Sequence, residues 1–519
     1  MMPGRLPAEA VDGSASENRT DEPSPEAEVV DVLDSEHAGT KAIRGGAVRT
    51  AGFGLALLFS AVSVPFMVRH LGPVDYGYFV TVSSIVFIIG GITEAGLTNL
   101  GIREVSVLDS DARVSFLSNL VGLRFALTIP GIAIAVALTW VTGANAPIIY
   151  GTAIVGFGLL LTLTQQTYMI PLNAQLRLGW VTVLEVLKAG TLSAFFIAAV
   201  IAGAGLVTFY WASVVASAVM IAATLLLVRH HGSLRPSFDL RIWRRILRET
   251  LPYAAAVAVG LVYFRIAVVL MSYVSTGEET GIFSAAFRIV EMLAIIPWIV
   301  VSSAFPILAR AARDDENRLG YAVQRLFEMC LIIGVGLAVC LAIGAPFAIS
   351  VIAGKGFDAS VPVLRLQSLT MITAFLLATW SFAMLSLGLF RQILIANAVA
   401  ALVAVVGTLT LSPPLGAEGA ALATVAAETV LVAILLAFLI RSRPGLTPNL
   451  AVVPKVLAGA ALAVAVALAA HQLPSVVLSA LAGLIFTAVV LATRAVPPDL
   501  FGAIPFRRSS TSSGESSSS

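Results

Sequence analysis

Residues 125–176 and 189–228 contain not one Asp, Glu, Lys or Arg. A water-facing helix or strand must present a polar face, so runs of this kind cannot cover a soluble domain. A helix rising 1.5 Å per residue crosses the hydrocarbon of a bilayer in roughly 20 residues. Each run is therefore too long for one crossing and has to turn back. Turn formers stand where that is needed, at Gly143-Ala144-Asn145-Ala146-Pro147 and at Gly203-Ala204-Gly205. The same reading along the chain predicts spans at 47–68, 76–99, 119–141, 147–170, 180–202, 206–228, 252–274, 281–307, 325–348, 362–387, 392–411, 417–440, 453–470 and 475–493. The expected fold class is an all-α integral membrane protein of about 14 transmembrane helices. Composition agrees, with 58% hydrophobic and 12% charged residues, where a soluble domain carries about 25% charged. A large soluble enzyme, a disordered chain and a disulfide-built secreted protein are all excluded. Cys330 and Cys340 share one apolar run, too far apart along a helix to pair, and provide no zinc motif.

Basic residues test the span count. If Lys41, Arg44 and Arg49 before the first span mark a cytoplasmic N-terminus, alternate connections should be basic. The inside set holds Arg103 and Arg113, Arg177, the group from Arg229 to Arg248, Arg310 to Arg325, Arg391, Arg441 to Lys455, and Arg494 to Arg508. The outside set holds only Arg69, Lys355 and Arg365. A miscounted helix would invert the bias downstream, and it never inverts. Both termini are expected in the cytoplasm. The overall charge of +2 conceals an acidic start: residues 1–36 hold ten acids against Arg5 and Arg19, leaving the remainder at a net +10. That composition, like the Ser-rich end, reads as a disordered, solvated tail.

Two halves of six helices, 41–230 and 251–441, place Asp75-Tyr76-Gly77 and Thr280-Gly281-Ile282 at equivalent openings of the second and eighth spans, a weak parallel repeat. The expected organisation is an acidic tail at 1–40, an N-lobe at 41–230, a linker at 231–250, a C-lobe at 251–441, two further helices at 442–494 and a Ser-rich tail at 495–519. Within the linker, Leu240, Trp243, Ile246 and Leu247 share one helical face while Arg241, Arg244, Arg245 and Arg248 take the other. Such a stretch suits the headgroup plane, either as a plain interfacial helix or as a strap between two moving lobes.

The chemistry is narrowed by what the spans contain. Histidines avoid the span interiors and no Walker-type loop exists, so neither a metal, a nucleotide nor any other cofactor is expected. Outside loops are short and poor in carboxylates, unlike those of a membrane glycosyltransferase. The informative residues are charges at depth, each costing roughly 2.5–3.5 kcal/mol on insertion scales. Arg265 lies deep in the seventh span with no carboxylate within one turn of its own helix. Arg288 and Glu291 sit one turn apart in the eighth and can bridge each other. Arginine keeps its charge at low dielectric and offers a planar fork suited to phosphate, so Arg265 and Arg288 are the core candidates for an anion site. Arg124 and Lys188 join them as outer candidates, although both can snorkel and Lys188 has Glu185 three positions away. Glu94 and Glu428, with Glu291 behind them, are candidates for ion coupling.

Short motifs in order add a resemblance. Leu71-Gly72-Pro73 with Tyr76-Gly77 opens the second span, and Gly96-Leu97 through Gly101-x-Arg103-Glu104 closes it. Gly281-x-Phe283, Pro306-x-Leu308, Gly356-Phe357 with Pro362-Val363-Leu364, and Gly416-Ala417-x-Gly419-Ala420-Ala421 follow. The chain resembles, over about residues 44–494, the bacterial oligosaccharide flippases, the polysaccharide transporter family of the multidrug/oligosaccharidyl-lipid/polysaccharide exporter superfamily. The resemblance implies two six-helix lobes in a V around a central, often cationic cavity, plus two C-terminal helices. It implies no enzyme but a flippase moving undecaprenyl-pyrophosphate-linked sugar repeat units across the cytoplasmic membrane. The partners implied are that lipid-linked oligosaccharide, membrane lipids, a coupling ion (H+ or Na+) and, as a further candidate, a polysaccharide polymerase, with no nucleic acid. A multidrug-type cation antiporter of the same fold is the alternative, and a membrane enzyme of polysaccharide assembly the third reading. The first span lacks the arginines of the related peptidoglycan-precursor flippases, which disfavours that assignment.

Overall fold

A computed structural model describes residues 38–94, 96–228, 235–314 and 316–495. Most of the acidic N-terminal stretch, the start of the linker and the Ser-rich end lie outside the described residues. The helices are α1 Ala38–Glu94, α2 Leu97–Val105, α3 Ser110–Val141, α4 Ala146–Ala174, α5 Leu178–Ile201, α6 Leu206–Val228, α7 Leu240–Val274 and α8 Gly277–Leu293. They continue with α9 Ile295–Asp314, α10 Glu316–Ile352, α11 Ser360–Gln367, α12 Thr370–Ser386, α13 Phe390–Ser442, α14 Val453–Ala469 and α15 Ser475–Ala492.

Helices and crossings do not correspond one to one. Helix α1 holds two crossings hinged at Gly72 (φ 69°), and α13 holds two hinged at Gly416 (φ 56°). Both hinges lie in the left-handed region that glycine adopts without a Cβ penalty. Conversely the eighth crossing is broken at Ala294 between α8 and α9, where Pro297 offers no N–H to continue the ladder. The tenth is broken between α11 and α12, where Ser368 and Thr370 hydroxyls donate to the carbonyls of Arg365 and Gln367 and compete with the helical pattern. Joining the broken pairs, splitting the hinged ones and counting the short α2 with the second crossing it follows yields the expected set of crossings. Large apolar side chains on the outer surface, among them Ile134, Leu138, Leu226, Leu468 and Leu484, are exposed as a lipid-facing shell requires.

The lobes α1–α6 and α7–α13 meet at the end that carries the two glycine hinges, here the hinge end. A Cβ added to Gly281 would lie 1.8 Å from the Pro73 carbonyl oxygen, and one on Gly77 would lie 2.3 Å from that of Gly277. Backbones approach so closely only because both positions lack a side chain. Around the crossing, Val64, Met67, Val68 and Tyr76 of one lobe share a core with Val268, Met271, Phe283 and Phe357 of the other. At the opposite, arginine-rich end, α7 begins as the amphipathic linker and runs unbroken into the seventh crossing. Its first turns belong to the N-lobe: Trp243 Nε1 donates to the Asn119 carbonyl at 3.0 Å, and Ile246 packs among Leu97, Leu100, Leu117 and Leu120. The linker is thus the first part of the C-lobe's own helix, fastened to its neighbour. Helices α14 and α15 pack on α10, with Phe486 over Gly336 and Ser479 donating to the Cys340 carbonyl at 2.7 Å.

Candidate functional site

The seventh and eighth crossings bring three charges together where the lobes face each other. Glu291 accepts from Arg265 Nη2 on one oxygen and from Arg288 Nη1, at 2.9 Å, on the other. Arg288 Nη2 also reaches Ser60 Oγ of the N-lobe at 3.3 Å. The Arg265 guanidinium lies 4.9 Å from the centre of the Phe87 ring, again from the N-lobe, with Phe264 and Phe287 at 5.4 and 5.6 Å. Its Nε is buried without a hydrogen-bond partner. Two guanidiniums therefore share one carboxylate, and the cluster carries an excess positive charge against a partly aromatic wall. The side chains of Arg265, Arg288 and Glu291 keep 12%, 31% and 17% of their exposure, so the cluster is half-buried rather than sealed.

The bridge expected between Arg288 and Glu291 is present. The carboxylate that Arg265 lacks along its own helix is supplied by Glu291 from the next one. Ser60 and Phe87, both on α1, complete the cluster; an apolar span gives no sign of which of its residues will face a charge in another lobe.

Elsewhere the structure joins residues to which the sequence assigned different roles. Arg124, fully buried, donates to Glu94 at 2.6 Å and to Thr98 Oγ at 2.7 Å, and also to the Leu163 carbonyl. Glu94 in turn accepts from the Thr98 N–H at 3.1 Å. The pair links α1, α2, α3 and α4 inside the N-lobe, and Arg124 does not snorkel to the surface. Lys188 on α5 is half-buried and closes no ion pair with Glu185 among the described residues. Glu428 on α13 accepts a hydrogen bond from Thr373 Oγ on α12, while the Tyr263 hydroxyl, electrostatically coupled to it, is buried without a partner. Glu428 thus meets polar groups of the C-lobe and shares no bond with the arginine cluster.

The family model described as "Polysaccharide biosynthesis protein" matches residues 66–362, a stretch that includes both arginine–carboxylate clusters. Among solved structures, the lipid II flippase MurJ in an inward closed conformation is similar at 13% identity and a TM-score of 0.71, over 86% of this chain and 99% of that one. An inward-facing multidrug resistance MATE transporter of the MOP superfamily is similar at 15% identity and a TM-score of 0.59, over 75% and 95%. A MOP superfamily transporter from Pyrococcus furiosus, described as having a binding pocket of reverse polarity, follows at 17% identity and 0.51, over 79% and 96%. At these identities the likeness is one of fold. No curated protein sequence matches the chain.

Proposed function

This chain belongs to the polysaccharide biosynthesis protein family, and on that footing we propose that it is a flippase for undecaprenyl-pyrophosphate-linked oligosaccharide repeat units in the cytoplasmic membrane. The observation that carries the reading is the two-arginine, one-carboxylate cluster facing the opposite lobe. Glu291 neutralises part of the charge and holds both guanidiniums in place. A pyrophosphate offers stronger, charge-assisted acceptors to the same forks and can take them over from Glu291. Half-buried Lys188 is a further cation for the headgroup, while Arg124 supports the N-lobe from within. Rocking of the lobes about the hinge end then exposes the loaded site to one leaflet and the other in turn. In this reading the arginine-rich end and both termini face the cytoplasm.

A second reading, an ion-coupled exporter of organic cations, is favoured by the half-buried carboxylate of Glu428, which meets a hydroxyl but no cation among the described residues. One experiment separates the two: reconstituted protein is assayed for leaflet transfer of a labelled lipid-linked oligosaccharide and, in parallel, of a labelled organic cation. Transfer of the lipid alone supports the flippase; transfer of the cation alone overturns it.

A further inference from the structure

Two of the three basic residues assigned to the outside, Arg69 and Lys355, lie together. Arg69 and Lys355, together with Ser350, Gly354 and Asp358, line one open cavity of about 450 Å³ at the hinge end, between the lobes. Arg69 comes from the last turn before the Gly72 hinge, and the other four from the end of α10 and the loop that follows.

The way α10 ends explains why Arg69 is there. Ala353 and Gly354 N–H groups both fold back onto the Ile349 carbonyl, with Gly354 in the left-handed region at φ 73°. That closing motif leaves the next carbonyls, Ser350 and Val351, without a partner in their own helix. Arg69 Nη2 crosses from the other lobe and donates to both, to Ser350 at 2.9 Å. A positive charge is favoured at a helix C-terminus. Gly354 also makes room, since a Cβ there would lie 3.0 Å from Arg69 Cγ. Both bonds use one nitrogen, so Nη1 and Nε of Arg69 make no hydrogen bond among the described residues. Lys355 has no ion-pair partner among them either, and the one carboxylate on the cavity wall is Asp358.

We propose that this cavity is a binding site for a phosphate-type anion, assembled only while the lobes are closed at the hinge end. The free edge of the Arg69 fork and the Lys355 ammonium are donors of the right kind, and they come from different lobes. A ligand that needs both binds the closed arrangement better and shifts the population toward it. The site rests on the flippase reading only for one source of its anion, a lipid pyrophosphate headgroup; free pyrophosphate offers the same chemistry.

Calorimetric titration of inorganic pyrophosphate into the full chain in phosphatidylcholine nanodiscs tests this. Lys355→Ala and Arg69→Ala should each weaken binding by about tenfold, and Asp358→Asn should strengthen it by removing the like charge. Lys355→Ala should leave the unliganded spacing of spin labels at Val141→Cys and Leu415→Cys unchanged, in a Cys330→Ala, Cys340→Ala background, whereas Arg69→Ala should widen it. Absence of pyrophosphate binding, or binding indifferent to Lys355 and Asp358, overturns the site; unchanged spacing in Arg69→Ala overturns its dependence on the closed lobes. Undecaprenyl pyrophosphate added to the discs either displaces the free anion, assigning the site to the lipid headgroup, or does not, assigning it to the free anion. Leaflet transfer is read separately, in sealed proteoliposomes, so absence of flipping with anion binding intact counts against the flippase and not against this site.

Discussion

Glu291 decides how the two arginines behave. With it, each guanidinium has a charged partner and the cluster is tolerable at depth; without it, two like charges face each other between α7 and α8. Arg265→Ala should abolish most lipid transfer in protein that still folds, and Arg265→Lys should restore only part, because an ammonium loses the bidentate fork. Normal transfer by well-expressed Arg265→Ala would reduce the residue to a structural link between α7 and α8. Arg124 should respond in the opposite way. Fully enclosed and paired with Glu94, its loss strands a partly buried carboxylate at a cost of about 3–5 kcal/mol. Arg124→Ala should therefore lower the melting temperature in detergent, and Glu94→Gln should do so less. An unchanged melting temperature with transfer abolished would return Arg124 to the substrate site.

At the scale of elements, glycine sets where the lobes touch. Gly281 meets backbone, the Pro73 carbonyl oxygen, rather than a flexible side chain that could swing away. Gly281→Val must therefore part α1 from α8 at the hinge end. The expected readout is thiol reactivity: Ser284→Cys, placed at a position now buried, should react with an impermeant reagent far faster when Gly281 is also replaced. Equal rates would mean that the crossing can absorb a side chain by sliding. The hinges at Gly72 and Gly416 serve a different end, reversing the chain between antiparallel crossings without a loop. Hydropathy alone located these reversals, because each falls between two apolar runs. It could not separate a hinge inside one continuous helix from a loop between two, since that depends on φ and ψ at a single residue. Likewise the breaks inside the eighth and tenth crossings leave the apolar pattern intact and are set by Pro297 and by local hydroxyl bonds.

For the molecule as a whole, orientation and energy coupling are the open quantities to measure. Leu240→Cys, 73% exposed at the arginine-rich end, should be protected from an impermeant thiol reagent in intact cells, and exposed Thr276→Cys at the hinge end should label. The reverse pattern would invert the topology. Glu428→Gln should remove dependence of transport on an ion gradient while expression is kept, if the carboxyl beside Thr373 and Tyr263 handles the ion; unchanged gradient dependence would reject that role. The sequence by itself determined that the chain crosses a membrane many times, about how often, and which charges fall inside the apolar spans. Those properties follow from a cost paid position by position: hydrocarbon penalises every unpaired polar group, so the pattern of tolerated residues records where the membrane lies. Partnership between helices was decided only by the tertiary structure. Glu291 meets Arg265 across 26 positions, Glu94 meets Arg124 across 30, and Arg69 reaches Ser350 across 281. A helix places its neighbours three and four positions away on one face, but which face meets which helix depends on packing against all the others, and no local pattern in the chain encodes that.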